Sequence, residues 1–142
     1  IKGELAPVQA AADANAAILQ LLPQNSAGLP VFDLVFLGMG EDGHIASLFP
    51  GDPQPTLYKG TPYAVVTGPK PPNPRITLSY PVLAAARQAW VLVSGEGKEE
   101  ALRNSLAANG ITPLARLLQL RHETLIFTDH VIFEQSAIRQ GQ

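Results

Sequence analysis

The sequence predicts an α/β fold with a mostly parallel, open sheet flanked by helices. Short apolar runs at Val31–Leu37, Ala89–Ser94 and Thr124–Thr128 have the length and the β-branched and aromatic content of buried strands. Stretches with apolar residues at helical spacing lie between them. The first two runs stop at glycine-rich turns, as strands do where a parallel sheet passes the chain to a crossover helix.

Taken in order, Ala6–Leu22 is alanine-rich with helical spacing, and Pro7 suits its first turn. Residues 23–30 form a loop. Val31–Leu37 reads as a strand buried on both faces, with Asp33 near its start. Gly38–Gly43 is a turn, and His44–Phe49 has room for at most two helical turns before Pro50. A proline-studded loop over 51–60 precedes a short strand at Tyr63–Thr67. The rigid segment Gly68-Pro69-Lys70-Pro71-Pro72-Asn73-Pro74 then leads to a strand at Arg75–Ser79 and a helix at Tyr80–Arg87. After Ala89–Ser94 comes Gly95-Glu96-Gly97-Lys98, a helix over Lys98–Ala108 and another over Pro113–Leu120. Asp129 is placed to cap a last helix through Ala137. Loops 38–44, 68–75 and 94–98 all adjoin strand ends, so a shared cleft is expected there.

The 142 residues, 46% hydrophobic and 15% charged, suit a single domain over 1–142 with a true core. A net charge of −2 offers no electrostatic footprint for nucleic acid or an anionic membrane. No apolar run approaches the roughly 20 residues of a membrane-spanning helix. With no cysteine, disulfides, thiolate catalysis and cysteine-ligated metals are excluded, and a cytoplasmic location is the default expectation. The chain opens at Ile1 with what reads as an interior helix, so we expect a piece of a longer domain.

Gly38-Met39-Gly40-Glu41-Asp42-Gly43 fits the G-x-G-x-x-G pattern after a strand. Glu41 and Asp42 would repel a pyrophosphate, and Pro50 cuts off the long helix a dinucleotide site wants. That reading is set aside. Asp42 and His44 stand two apart, close enough for a carboxylate to orient an imidazole acting as general base. They fit equally a cap and a loop-bound histidine. One histidine with two carboxylates in a loop is a poor metal set, so no metal or cofactor is expected.

Arg75 enters an apolar stretch, and Lys98 stands at a helix amino end where it opposes the dipole unless an anion binds. Singly, each has a structural alternative: a buried carboxylate for Arg75, and Glu99 or Glu100 for Lys98. Together, flanking the Asp42/His44 loop, they point to an anionic substrate.

Asp33–Gly51, D-L-V-F-L-G-M-G-E-D-G-H-I-A-S-L-F-P-G, closely resembles the signature of the 6-phosphogluconolactonases. K-P-P-N-P-R-I-T-L-S at 70–79 and G-E-G-K at 95–98 resemble that family's second and third motifs. The wider superfamily includes glucosamine-6-phosphate deaminases and ribose-5-phosphate isomerases, and implies a Rossmann-like fold of the sugar-phosphate isomerase type. The resemblance implies a phosphorylated sugar lactone as substrate, with His44 as general base and Asp42 as its orienting partner. It also implies that Arg75 and Lys98 hold the sugar phosphate, and that Gly38, Gly40 and Gly43 line the site. The deaminases resemble D-G-H-I-A-F-N-E-P, with a glutamate where this chain has Phe49. Phenylalanine transfers no proton, which disfavours ring opening and leaves lactone hydrolysis possible.

A second class stays open, the non-catalytic effector domain of sugar-phosphate-responsive transcription regulators, for which a helix-turn-helix upstream would be the sign. The family's opening strand with a Gly-Gly-Ser-type loop and its Asp-Glu-Arg-type segment have no counterpart here. The resemblance therefore implies an incomplete sheet at the amino terminus and half of a phosphate pocket. We expect the 142-residue piece alone to be inactive or weak and to expose an apolar edge prone to self-association. His122 reads as a surface turn residue, His130 as part of a helix's first turn, and Trp90 as core. Met39 suits the pocket or the core.

Overall fold

The computed structural model describes residues 1–51 and 61–131. Along them run α1 (Pro7–Leu21), β1 (Leu34–Gly38), β2 (Tyr63–Val66), β3 (Arg75–Leu78), α2 (Tyr80–Ala85), β4 (Gln88–Val93), α3 (Glu99–Leu106), α4 (Pro113–Leu120) and β5 (Leu125–Thr128). Helices α1, α2 and α4 each carry a proline in the first turn, where a missing N–H leaves no bond unmade. Thr112 caps α4 by accepting from the Ala115 amide at 3.1 Å.

β1, β4 and β5 form a parallel sheet in the order β1-β4-β5. Leu34 faces Gln88 and Gly38 faces Leu92, so β1 and β4 end at the same rim. Val35 and Leu37 of β1 and Ala89, Val91 and Val93 of β4 point to one side. There they pack with Leu83 of α2, Leu102 of α3 and Leu114 and Leu117 of α4 in the main apolar cluster. The mixed α/β architecture with a parallel sheet is the expected one.

β2 and β3 stand apart as an antiparallel pair, Tyr63 opposite Leu78 and Val66 opposite Arg75. An eight-residue connection is too short for a parallel crossover, so the two runs fold back on each other. α1 packs against this pair. Asn15, inside α1, accepts from the Tyr63 amide at 2.6 Å and donates to the Tyr63 carbonyl at 3.0 Å, completing the edge of β2.

Three sequence expectations change. β1 is buried on one face only: Phe36 is 63% exposed, and Leu92 and Phe127 share that open side with it. Trp90 is partly exposed between Phe36 and Phe127, 5.4 Å from each ring, and is not core. Among the described residues the cluster helices lie on the other face alone, and an apolar run cannot say how many of its sides are covered. Second, His44–Phe49 contains no helix. The Leu48 amide donates to the Ile45 carbonyl at 2.9 Å in a tight turn. The Ser47 amide goes to Thr77 Oγ1 at 3.1 Å, and Ala46 takes a φ of 50°. Side-chain and turn bonds have replaced the helical ladder. Third, β5 ends at Thr128 and residues 129–130 form a bend without helical turns, so His130 is in no helix there. The rest of the expected last helix and of the 51–60 loop lies outside the described residues.

Arg121 closes the helical layer. Its Nη1 donates to the carbonyls of Leu83, Ala84 and Ala86 at 3.1, 2.8 and 2.7 Å, binding the carboxyl end of α2 to the exit of α4. Arg121→Ala leaves these carbonyls without their charged donor. It should lower the unfolding free energy by about 1–3 kcal/mol in urea titrations.

Candidate active site

The turn after β1 is half core and half cleft. Met39, Ile45 and Leu48 are buried in the main cluster, which pins the turn from beneath. The residues between them, Glu41 and Asp42, are exposed. Gly40 closes the turn, its amide donating to the His44 carbonyl at 2.9 Å and its carbonyl accepting from the Gly43 amide at 3.0 Å. A side chain at residue 40 is impossible without change, because its Cβ would stand 2.1 Å from His44 Nδ1 and Cε1. The imidazole thus lies directly on the backbone of Gly40. Gly43 is held from the far side: its carbonyl accepts from the Leu114 amide at 3.2 Å, and its φ of 80° suits glycine.

Asp42 Oδ1 accepts twice from the same residue, from the His44 amide at 3.1 Å and from His44 Nδ1 at 2.6 Å. With no helix to cap, the carboxylate folds over in an Asx turn and orients the imidazole as it does so. Partial burial pushes the Asp42 carboxyl up. The amide and imidazole bonds and the charge of His44 outweigh that and hold it below the usual aspartate range. An ionised carboxylate only accepts, so the proton of a neutral His44 sits on Nδ1. Nε2 then carries the lone pair.

Arg75, the first residue of β3, faces this pair. Its Nε donates to the Pro72 carbonyl at 3.0 Å and its Nη2 to the Lys70 carbonyl at 2.9 Å. Asn73 braces the loop that supplies those carbonyls, accepting from the Gly68 amide at 2.7 Å and donating to its carbonyl at 2.9 Å. Among the described residues Arg75 has no carboxylate partner. Lys98 precedes α3 at its amino end, and Glu99 is taken by Arg103 at 2.8 Å.

These groups share one open cleft of about 470 Å³, lined by Asp42, His44, Arg75 and Lys98, by Met39, Gly40 and Glu41, and by Phe49, Pro69 and Lys70. All three strand-end loops contribute. Of the three glycines expected to line it only Gly40 does: Gly38 ends β1, and Gly43 is turned against Thr112. Sequence reasoning missed Lys70, which adds a third cation, and the walling role of Phe49. Met39, read as pocket or core, is both. Lys70 stands in the proline-rich motif, but only the fold of that loop turns it to the cleft. Residues 44–51 form no helix, so among the described residues no helix amino end is offered there to a pyrophosphate. Among the described residues no group of three His, Asp or Glu is placed to hold a metal ion. His122 is exposed in a turn away from the cleft.

The family model described as glucosamine-6-phosphate isomerases/6-phosphogluconolactonase matches residues 1–127. The chain belongs to this family. It is 43% identical over 105 residues to a 6-phosphogluconolactonase of Streptomyces coelicolor, covering 72% of this chain and 40% of that protein. It is 40% identical over 116 residues to the 6-phosphogluconolactonase of Homo sapiens, covering 82% and 45%. The solved 6-phosphogluconolactonase of Trypanosoma brucei superposes with a TM-score of 0.75 at 31% identity, over 85% of this chain and 50% of that one. The chain thus spans about half the length of the family relatives it matches. No described helix is long and apolar enough to cross a membrane.

Two outcomes follow from this geometry. Gly40→Ala should drive the imidazole off Asp42, and loss of the low-field His44 Nδ1 proton resonance in NMR spectra would report it. Because the Asp42 carboxyl is held low, its contribution to stability is present above the unfolded aspartate value and lost as pH falls through the folded one. The melting-temperature advantage of the native chain over Asp42→Asn should therefore be full above about pH 5 and fade below about pH 4.

Proposed function

We propose that this chain carries the reacting centre of a lactonase that hydrolyses 6-phospho-D-glucono-1,5-lactone to 6-phosphogluconate. The observation that carries the reading is the Asp42–His44 pair at 2.6 Å, set in the same cleft as the cations Arg75 and Lys98. Arg75, with Nε and Nη2 already anchored to carbonyls, offers a phosphate its remaining donors in a fixed direction. Lys98 adds a mobile point charge, and Lys70 lies near enough to the cleft to add another. The substrate is a phosphorylated sugar lactone.

In this reading His44 Nε2 takes a proton from water, and the hydroxide adds to the lactone carbonyl carbon. The tetrahedral intermediate then collapses, the bond between that carbon and the ring oxygen breaks, and the ring oxygen takes the proton held by the imidazolium. Asp42 keeps the imidazole in its working tautomer and favours its charged form between the two transfers. Phe49, standing where the deaminases resemble a glutamate, has no proton to move. It supports hydrolysis over ring opening.

The test is hydrolysis of the lactone by the full-length protein, with the spontaneous reaction subtracted. His44→Ala should lower kcat roughly 10²–10⁴-fold, the usual worth of a positioned base, with little change in substrate binding. Arg75→Ala should chiefly raise KM, by roughly 10- to 100-fold for a lost charge-assisted contact. Absence of turnover in the intact protein would move the assignment to a binding domain.

A further inference from the structure

Phe49 touches both halves of the cleft. Its ring centroid lies 4.9 Å from that of His44, tilted by 42°, and the Arg75 guanidinium carbon lies 5.2 Å from the same centroid. One phenyl ring therefore stands against both the imidazole and the cation that faces it.

The surroundings hold that ring in place. A Cβ at Gly68 would come within 2.9 Å of Phe49 Cε2, 3.1 Å of its Cζ and 3.2 Å of Arg75 Nε. Glycine at 68 lets the ring and the guanidinium lie against the backbone of the 68–73 loop, which Asn73 clamps. On the other side Leu48 is buried in the core, and the Ser47 amide is tied to Thr77 Oγ1 on the strand that begins with Arg75. The turn carrying the base and the strand carrying the cation are thus joined at two points, Ser47–Thr77 and the Phe49 ring.

We propose that Phe49 is a positioning residue that sets the separation and facing of His44 and Arg75, an inference that rests on the lactonase reading for its kinetic consequences. A phenyl ring suits this task chemically. It has no donor or acceptor to compete for His44 Nε2 or for the free edge of the guanidinium, so both direct their polar atoms into the cleft. Its π face also favours a cation above it. A ring in this position holds a phosphorylated substrate at one end and its lactone carbonyl at the other.

The test uses the full-length protein with Phe49→Leu, Phe49→Met and Phe49→Tyr. Leucine removes the aromatic face, methionine fills the volume without it, and tyrosine restores it. Phe49→Leu and Phe49→Met should raise KM about 3- to 10-fold, the effect of a lost cation–π contact, and lower kcat roughly 10-fold or more through misplacement of the base. Phe49→Tyr keeps the π face and should recover KM, while its hydroxyl, able to compete for His44 Nε2, should leave kcat only partly restored. A residue acting through others shows non-additivity: Phe49→Leu should add little to KM once Arg75→Ala is present, and little to kcat once His44→Ala is present. Titration with inorganic phosphate, which needs no turnover, should show the same weakening in Phe49→Leu and Phe49→Met. Unchanged phosphate affinity and kinetics in both folded variants would overturn the proposal, as would fully additive effects. An inactive native protein whose phosphate affinity still depends on Phe49 would overturn the lactonase reading alone and support the brace.

Discussion

Parallel pairing places Gly38 opposite Leu92, so β1 and β4 end together and release the 39–44 and 94–98 loops side by side at one rim. Glu41 then lies against Gly97, where a Cβ would stand 3.4 Å from its carboxylate. In an antiparallel pair the carboxyl ends would point opposite ways and Lys98 would be a strand's length from His44. The approach of Lys98 to the Asp42–His44 turn depends on that register. It is held by the backbone ladder and by the inward faces of both strands, whose Val35, Leu37, Val91 and Val93 are packed beneath the same helices.

The turn that carries Asp42 and His44 is built as an extension of the core. Ile45 is as deeply buried as any residue of the sheet and Leu48 nearly so, while Asp42 and His44, just ahead of Ile45, reach the cleft. Alternation of anchored and free residues over so few positions leaves the backbone little freedom. The Gly43 carbonyl is further tied to the amino end of α4, where Thr112 also bonds Ser105 of α3 at 2.6 Å. A preorganised imidazole follows from that anchoring, since a ring resting on the backbone of Gly40 and bonded to Asp42 has lost its torsional freedom.

Charge in the cleft is arranged by different means on its two sides. The carboxylate side is local: Asp42 and His44 meet through an Asx turn of three residues. The cationic side is assembled across the fold, from the β2–β3 pair, the clamped 68–73 loop and the start of α3. A separate consequence of the topology is the open apolar face of the Phe36, Trp90 and Phe127 rings with Leu92, opposite the helical layer. Those rings explain why β1 and β4 read as continuously apolar although only alternate residues are buried here.

Most elements were legible because their signals are local. The apolar runs, the prolines in first turns and the glycine-rich strand ends act within a few residues, and the strands and helices stand within one to three residues of where they were expected. The Asp42–His44 contact was legible for the same reason, since two residues apart in a tight turn leaves few geometries. The sequence alone therefore determined the α/β class, the meeting of the strand-end loops in one cleft and the Asp42–His44 contact. Tertiary structure decided the rest. The helix expected at 44–49 yields to a bond from Ser47 to Thr77, thirty residues away. Burial of β1 on one face, the antiparallel pairing of β2 with β3, and the arrival of Lys70 and Phe49 at the cleft all depend on contacts between distant segments. Local spacing carries no record of such contacts, because they form only when the sheet and the loops have folded against one another.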